Sequence, residues 1–200
     1  MNFTATSALN LPPDERHICL FVREPGQFNL TLLPLLAALS GTSTTVVLAL
    51  DQVERRLSEL LAEPVVQQMF AAGRLYSMEA DALYLSEQIF DPTVVFNRLT
   101  HLSLELKVTG HSLVVIGGIS WAVQQQPGFD LARYETGLDK LLTDHPSIAL
   151  LVCIYEANYC NGEMALAALQ THPAAVIDGV CRAGLNQPRK RIQEPATPQP

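Results

Sequence analysis

The segment after the first apolar run, Ile18–Val22, is where a phosphate-binding loop would lie in a nucleotide-binding α/β protein. It reads REPGQF from Arg23 to Phe28. A P-loop has the pattern GxxxxGK(S/T), in which glycines free backbone amides for the phosphates and a lysine meets their charge. This segment has one glycine, no lysine and a carboxylate, so P-loop nucleotide hydrolysis is not expected. Arg23 and Glu24 remain candidate ligand-binding residues, because ligands of open α/β sheets lie beyond the carboxyl ends of the strands.

A later apolar run ends where an ATPase would carry its magnesium-binding acid. It reads VVIGGIS from Val114 to Ser120, so Gly117 and Gly118 occupy the positions that could hold that acid. No third glycine opens a helix after them, which argues against a dinucleotide fingerprint. Ser120 is followed by Trp121 instead of the glycine of a nucleophile elbow, so a serine hydrolase is a poor fit. No cofactor is expected.

Thiols and imidazoles raise the question of a metal or redox site. His17 and Cys19 are two residues apart on a predicted strand and therefore share one face, where Cys153 could join them. The favoured interpretation is that a free cysteine in a buried strand acts as a small hydrophobic residue. Cys153 and Cys160 match no common zinc spacing, and His172, before a proline, is expected to bond the last carbonyls of a helix. No metal is expected.

Carboxylates and aromatic residues supply the remaining candidates. The carboxylates Glu79, Asp81, Glu135 and Glu156 are expected to be solvated, as acids on an acidic protein usually are. In a doubly wound sheet the aromatic side chains would project toward one rim. They form either a small-molecule pocket or a seal over the sheet, and sequence favours neither strongly. The rim candidates are Tyr84, Ser120, Trp121, Tyr155 and Glu156.

These candidate residues lie in a sequence in which short apolar runs alternate with amphipathic segments. That alternation predicts an α/β fold, a mostly parallel doubly wound sheet of about six strands with five helices on both faces. Asp91-Pro92 is a typical helix start, and Asn161 and His172-Pro173 bound a later helix. The predicted strands are Ile18–Val22, Thr45–Leu50, Leu75–Met78, Leu113–Gly117, Ala149–Tyr155 and Ala174–Ile177.

Composition limits the classes of partner. The 200 residues are 48% hydrophobic and 16% charged, with a formal net charge of −7. A chain of this composition is not expected to present the clustered Lys and Arg side chains that bind the phosphates of nucleic acid. Its apolar runs are shorter than a membrane span, so a cytoplasmic protein is expected. The predicted domain covers 15–185, between an N-terminal tail at 1–14 and a proline-rich, disordered tail at 186–200.

The order of several short motifs resembles the MEDS domain, the methanogen and methylotroph sensory domain, over about Arg16 to Gly179. The shared elements are His17-Ile18-Cys19-Leu20-Phe21, Leu83-Tyr84-Leu85, Phe90-Asp91-Pro92, Gly117, Ser120-Trp121-Ala122, Pro127-Gly128, Tyr134-Glu135, Leu138, Cys153, Tyr155 and His172-Pro173.

The resemblance implies a RecA-like or KaiC-like fold without a P-loop, used for sensing in signal transduction and transcriptional control. Family members often carry an acid where this chain has Gly118, and an aspartate where it has Glu156. The expected function is a non-catalytic sensory or regulatory domain that binds a small ligand or a signalling partner, a kinase or transcription regulator, at the rim of the sheet. An enzyme acting on a small organic substrate and a pure interaction subunit are the alternatives. Self-association is left open.

ATP and GTP should bind no more tightly than about millimolar, because the segment after the first strand offers neither lysine nor a run of free amides. Isothermal titration in the presence of magnesium measures this directly. A micromolar dissociation constant would contradict the expectation.

Overall fold

A computed structural model describes residues 15–87, 89–119, 126 and 128–184. The predicted tails at 1–14 and 186–200 lie outside these residues. The strands are β1 (His17–Val22), β2 (Thr44–Leu50), β3 (Leu75–Glu79), β4 (Leu85–Ser86), β5 (Ile89–Phe90), β6 (Ser112–Gly118), β7 (Ile148–Glu156), β8 (Ala174–Ile177) and β9 (Val180–Ala183). The helices are α1 (Pro25–Ser40), α2 (Val53–Leu60), α3 (Pro64–Ala71), α4 (Ala80–Tyr84), α5 (Pro92–Val108), α6 (Leu131–Asp144) and α7 (Gly162–Thr171).

Seven strands form one sheet in the order β3-β2-β6-β7-β1-β8-β9. All neighbouring pairs are parallel except β8 with β9, which run antiparallel at one edge. The predicted α/β class with a mostly parallel sheet is therefore confirmed. β4 and β5 pair separately as a two-stranded antiparallel sheet.

The central strands are apolar along their length because helices cover both of their faces. Side chains of β1 alternate between the two layers: Ile18, Leu20 and Val22 pack with α1, α2 and α3, whereas Cys19 joins the layer of α4 to α7. His17 is on the same face as Cys19, two residues away. The shared face predicted for these two residues is thus present.

Helix starts follow the capping chemistry of the sequence. The Asp91 carboxylate accepts from the Thr93 amide ahead of α5, and the Asn161 side chain accepts from the Met164 amide at the start of α7. At the other end of α7, Nδ1 of His172 donates to the Ala168 carbonyl across 2.8 Å. The predicted role of His172 at a helix end is confirmed.

The predicted six strands and five helices fall short of the observed set in the described residues. Strand β9 and the pair β4–β5 were not predicted, nor were α3 and α4. Each of these segments has only two to eight residues, and none carries the amphipathic spacing of the equally short α2 or the apolar run of β8. None of the described helices is long and apolar enough to cross a bilayer.

Gly117, near the end of β6, allows the Tyr84 ring to approach the backbone. A Cβ at this position would lie 1.9 Å from the Tyr84 hydroxyl oxygen and 3.1 Å from its Cζ. A Cβ at Gly118 would meet nothing within 4 Å. The close approach that Gly117 permits is therefore occupied by a side chain of the core.

Gly117→Ala should destabilise the protein by about 2 kcal/mol in urea unfolding, because the added methyl overlaps the Tyr84 hydroxyl. Adding Tyr84→Phe removes the overlapping oxygen, so the double variant should lose less than the sum of the single variants by about 1 kcal/mol. Gly118→Ala is the matched control and should stay within about 0.5 kcal/mol of the parent. Strict additivity of the two changes would contradict the packing described.

Candidate functional site

The loop after β1 places Arg23 and Glu24 at the carboxyl edge of the sheet. Both residues are exposed, and the Arg23 guanidinium forms an ion pair with Asp178 after β8. Glu24 precedes α1 without capping it through its side chain. The position of both residues at the edge agrees with the sequence interpretation, and their role in ligand binding remains a prediction.

Tyr84 and Tyr155 are not on the rim. They are 5% and 0% exposed and pack in the layer between the sheet and helices α4 to α7. These two aromatic side chains do not line an open pocket, because the helical layer closes over them. Of the two alternatives that the sequence left open, a pocket or a seal over the sheet, their burial fits the seal. Ser120 and Trp121, the other rim candidates of this segment, lie outside the described residues.

Glu156, at the end of β7, faces the opposite layer from Tyr155 because neighbouring strand residues point to opposite faces. Its carboxylate accepts from Arg56 across 2.7 Å, and the Arg56 guanidinium lies 5.0 Å from the centre of the Phe28 ring. The pair is 12% and 22% exposed. Glu156 is thus held by a cation of α2, and it does not form one site with Tyr84 and Tyr155.

Four side chains form what we call the buried polar cluster: His17, Glu135, Cys153 and His172. From the sequence, a metal or redox site of His17 with Cys153 was considered and set aside, and it was missed that Glu135 and His172 join them. They come from β1, α6, β7 and the residue after α7. Glu135 was expected to be solvated, and that expectation is wrong, since it is 0% exposed. One polar atom from each residue lies within 4.8 Å of the others.

Glu135 is the centre of the buried polar cluster. Its Oε1 accepts from the Tyr155 hydroxyl. Its Oε2 lies 3.2 Å from Nε2 of His17 and 3.5 Å from Nε2 of His172, and it accepts from the Cys153 thiol across 3.6 Å. A single carboxylate therefore contacts two strands and the segment after α7.

The two histidines are oriented by their other ring nitrogen. Nδ1 of His17 donates to Asp139 across 2.7 Å, one turn beyond Glu135 on α6. Nδ1 of His172 donates to the Ala168 carbonyl. Both Nε2 atoms consequently face Glu135, but Nε2 of His172 has no hydrogen-bond partner among the described residues although it is fully buried.

Charge in the buried polar cluster is set by burial and by mutual contacts. Burial alone would lower the pKa of His17, yet hydrogen bonds to Asp139 and Glu135 raise it to about 9. Burial and the nearby His17 lower the pKa of His172 to about 4. Burial opposes ionisation of Glu135, but the two histidines and the Tyr155 hydroxyl outweigh it and lower its pKa. The cluster thus holds a carboxylate against an imidazolium at His17.

The thiols of Cys19 and Cys153 are buried in neighbouring positions of β1 and β7. Burial raises the pKa of both, and the Glu135 carboxylate raises it further. Both side chains therefore hold their protons at neutral pH, in keeping with the low reactivity that their positions in central strands predict.

A cleft of about 700 Å³ lies between the first turns of α6 and α7. Helix N-termini lie at the carboxyl ends of parallel strands, so the cleft is at the edge where such sheets bind ligands. Leu131 and Met164 contribute its buried surface. They precede Glu135 and Ala168 by one helical turn, which places the buried polar cluster beneath the cleft. The lining residues are Gln126, Gly128, Phe129, Asp130, Leu131, Ala132, Asn161, Glu163, Met164 and Ala167.

Glu135→Gln should destabilise the protein by about 3–5 kcal/mol in urea unfolding, because it removes the buried carboxylate that faces the His17 imidazolium. The same carboxylate accepts from Tyr155 and Cys153, and its loss leaves His17 only the half-exposed Asp139. Glu105→Gln on α5 is the control, since Glu105 is 62% exposed and should cost less than about 0.5 kcal/mol. A loss below about 1 kcal/mol for Glu135→Gln would show that the carboxylate does not hold the layers together.

Comparison with solved structures supports the architecture. The fold of this chain resembles that of a prototypical ATPase from the type III secretion system of pathogenic bacteria, with a TM-score of 0.51 and 13% sequence identity over 87% of this chain and 54% of that chain. An ATP synthase subunit, NeqB, from Nanoarcheaum equitans gives a TM-score of 0.46 and 12% identity over 87% of this chain and 50% of that chain. This chain spans about half the length of either structure. The first likeness supports a RecA-like fold.

Sequence comparison gives the family. A search of curated proteins found no match. The model of the family MEDS, described as the methanogen/methylotroph, DcmR sensory domain, matches residues 16–173. The match covers β1 through α7, including all four residues of the buried polar cluster. The chain belongs to the MEDS family of sensory domains.

Proposed function

We propose that this chain is a non-catalytic sensory domain of bacterial signal transduction or transcriptional control, which binds a small molecule in the cleft between α6 and α7. Membership of a family of sensory domains supports the general role. The single observation that carries the location is the cleft of about 700 Å³ at the carboxyl edge of the sheet. Small-molecule sites typically have volumes of about 300–1,000 Å³.

The position of this cleft distinguishes it from a second one at the opposite edge of the sheet. The second cleft, of about 430 Å³, is lined by Thr44, Ser112 and Ala149 together with the loops before their strands. Those residues lie at the amino ends of β2, β6 and β7. Open α/β sheets bind ligands at the carboxyl ends of their strands, so the cleft between α6 and α7 is the better candidate.

The lining of the cleft favours a neutral or cationic organic molecule. Phe129, Leu131 and Met164 supply apolar surface, whereas Asp130 and Glu163 bring negative charge. An anionic ligand such as a nucleotide would meet repulsion from these carboxylates. The described lining residues include no histidine, cysteine or lysine, and Asp130 and Glu163 are exposed, so their carboxylates have the solvation of surface acids.

The two helices that form the cleft also supply a route to a response. Leu131 and Met164 line the cleft, and one turn further along their helices Glu135 belongs to the buried polar cluster and Ala168 accepts a hydrogen bond from its His172. A ligand that changes the spacing of α6 and α7 changes these contacts at the same time. The exposed surfaces of the same helices are then available to a kinase or transcription regulator that reads the change.

Thermal unfolding in the presence of neutral and cationic organic compounds of fewer than about 20 heavy atoms tests the cleft. At least one compound should raise the unfolding temperature and bind one to one by calorimetry, whereas nucleotides should not. Ala167→Trp should abolish the binding of that compound, because the indole fills the cleft. Leu166→Trp is the matched control, since Leu166 is the neighbouring residue and is 56% exposed.

Binding that survives Ala167→Trp would place the ligand elsewhere. Absence of any stabilising compound, together with a stable complex with a kinase or regulator, would favour the interaction subunit over the ligand sensor.

A further inference from the structure

We propose that the buried polar cluster binds one thiophilic divalent metal ion, with Zn²⁺ as the best fit. The ligands are Nε2 of His17, Oε2 of Glu135, Sγ of Cys153 and Nε2 of His172. This site is separate from the ligand cleft, and the inference does not rest on the proposed sensory role. It opposes the sequence expectation that the chain holds no metal.

The spacing of the ligand atoms suits tetrahedral coordination. Bonds of about 2.0 Å to nitrogen and oxygen and about 2.3 Å to sulfur place tetrahedral ligand atoms about 3.3–3.6 Å apart. Oε2 of Glu135 lies 3.2 Å and 3.5 Å from the two Nε2 atoms of the cluster and 3.6 Å from Sγ of Cys153. Nε2 of His17 lies 3.4 Å from the same sulfur. Four edges of the tetrahedron are thus already close to their metal-bound lengths.

The orientation of both histidines is that of metal ligands. Ligating histidines usually donate their other ring N–H to a carboxylate or a backbone carbonyl, which fixes the tautomer and aims the free nitrogen at the metal. Nδ1 of His17 donates to Asp139 and Nδ1 of His172 donates to the Ala168 carbonyl. The two rings are 4.1 Å apart between centroids, so their Nε2 atoms converge from adjacent positions.

The contact between His172 and Glu135 brings two hydrogen-bond acceptors together with no proton and no cationic side chain of the described residues between them. Because Nδ1 of His172 carries the proton that Ala168 accepts, its Nε2 presents a lone pair. That lone pair lies 3.5 Å from a carboxylate oxygen, and Nε2 has no hydrogen-bond partner in the described residues. Two buried acceptors that face each other are unfavourable. A cation between them satisfies both.

Charge balance also favours a divalent ion. Binding of M²⁺ displaces the proton of the Cys153 thiol and any proton on Nε2 of His17, and these protons pass to solvent. The metal, the Glu135 carboxylate, the Cys153 thiolate and two neutral imidazoles then sum to zero charge, as burial requires. A thiolate with two imidazoles favours Zn²⁺ over the hard ions Mg²⁺ and Ca²⁺.

Four protein ligands and near-complete burial make this a closed site, of the kind that stabilises structure instead of performing catalysis. The ligands are 2%, 0%, 8% and 0% exposed in chain order. They join β1, α6, β7 and the end of α7, so the metal would hold these two helices against the centre of the sheet.

Titration of the chelator-treated, reduced full chain with Zn²⁺ and Co²⁺ tests the site. We expect one equivalent to bind, with a Zn²⁺ dissociation constant below about 1 μM. The Co²⁺ form should show a thiolate-to-metal charge-transfer band. Cys153→Ala should abolish the band and weaken Zn²⁺ binding by more than about 100-fold, since even changes beyond the direct ligands cost about 10–100-fold.

Cys19→Ala is the matched control, because Cys19 is buried on the same face and is the register partner of Cys153. It should keep both the stoichiometry and the band. Should Cys153→Ala fail to fold by circular dichroism, His172→Gln provides the second test: it should keep the band and weaken Zn²⁺ binding. A parent chain without a charge-transfer band, or equal binding by Cys153→Ala, would overturn the proposal and leave the His17–Glu135 ion pair as the complete state of the cluster.

Discussion

Burial of the Glu135 carboxylate is the constraint on which the rest of the structure depends. A carboxylate without water is costly unless cations and hydrogen-bond donors surround it. Here the donors come from β1 and β7, Nε2 of His172 after α7 lies 3.5 Å away, and Glu135 itself belongs to α6. Because its donors lie on two central strands, the carboxylate couples α6 to the centre of the sheet.

The carboxyl edge of this RecA-like sheet differs from a phosphate-binding edge in the charges that it presents. Two arginines near that edge, Arg23 and Arg56, are each engaged by a carboxylate of the chain, Asp178 and Glu156. The loop after β1 offers no lysine. The cleft of about 700 Å³ lies instead between α6 and α7, where the carboxylates of Asp130 and Glu163 would favour a neutral or cationic ligand. The cleft proposed for the ligand and the buried polar cluster thus share the same two helices.

Sequence patterns predicted the parts of the fold that depend on local chemistry. The continuous apolar runs of β1, β2, β6 and β7 identified buried parallel strands, and Asp91 and Asn161 identified helix starts through their capping side chains. Strand β9 was missed because its residues are mostly exposed and form no continuous apolar run, unlike those of the equally short β8.

The candidate site was predicted less well because its contacts span the chain. His17 and Cys153, 136 positions apart, were considered together only because both lie on predicted buried strands, and no spacing rule joins Glu135 or His172 to them. The pattern did contain one clue: Glu135 lies four residues after Leu131 and three before Leu138, on the buried stripe of α6. A carboxylate on a buried stripe requires partners, which a general expectation of solvated acids overlooked. Tyr84 and Tyr155 were assigned to the rim because strand ends alone cannot show that helices close over them.

We propose that the four ligand atoms of the buried polar cluster bind one cation and do not only contact one another. Anomalous diffraction from crystals grown with Zn²⁺, recorded on both sides of the zinc absorption edge, tests it most directly. One strong anomalous peak is expected, about 2.0–2.3 Å from His17 Nε2, Glu135 Oε2, Cys153 Sγ and His172 Nε2. An anomalous map without a peak at this position, with Glu135 bonded directly to His17, would contradict the claim.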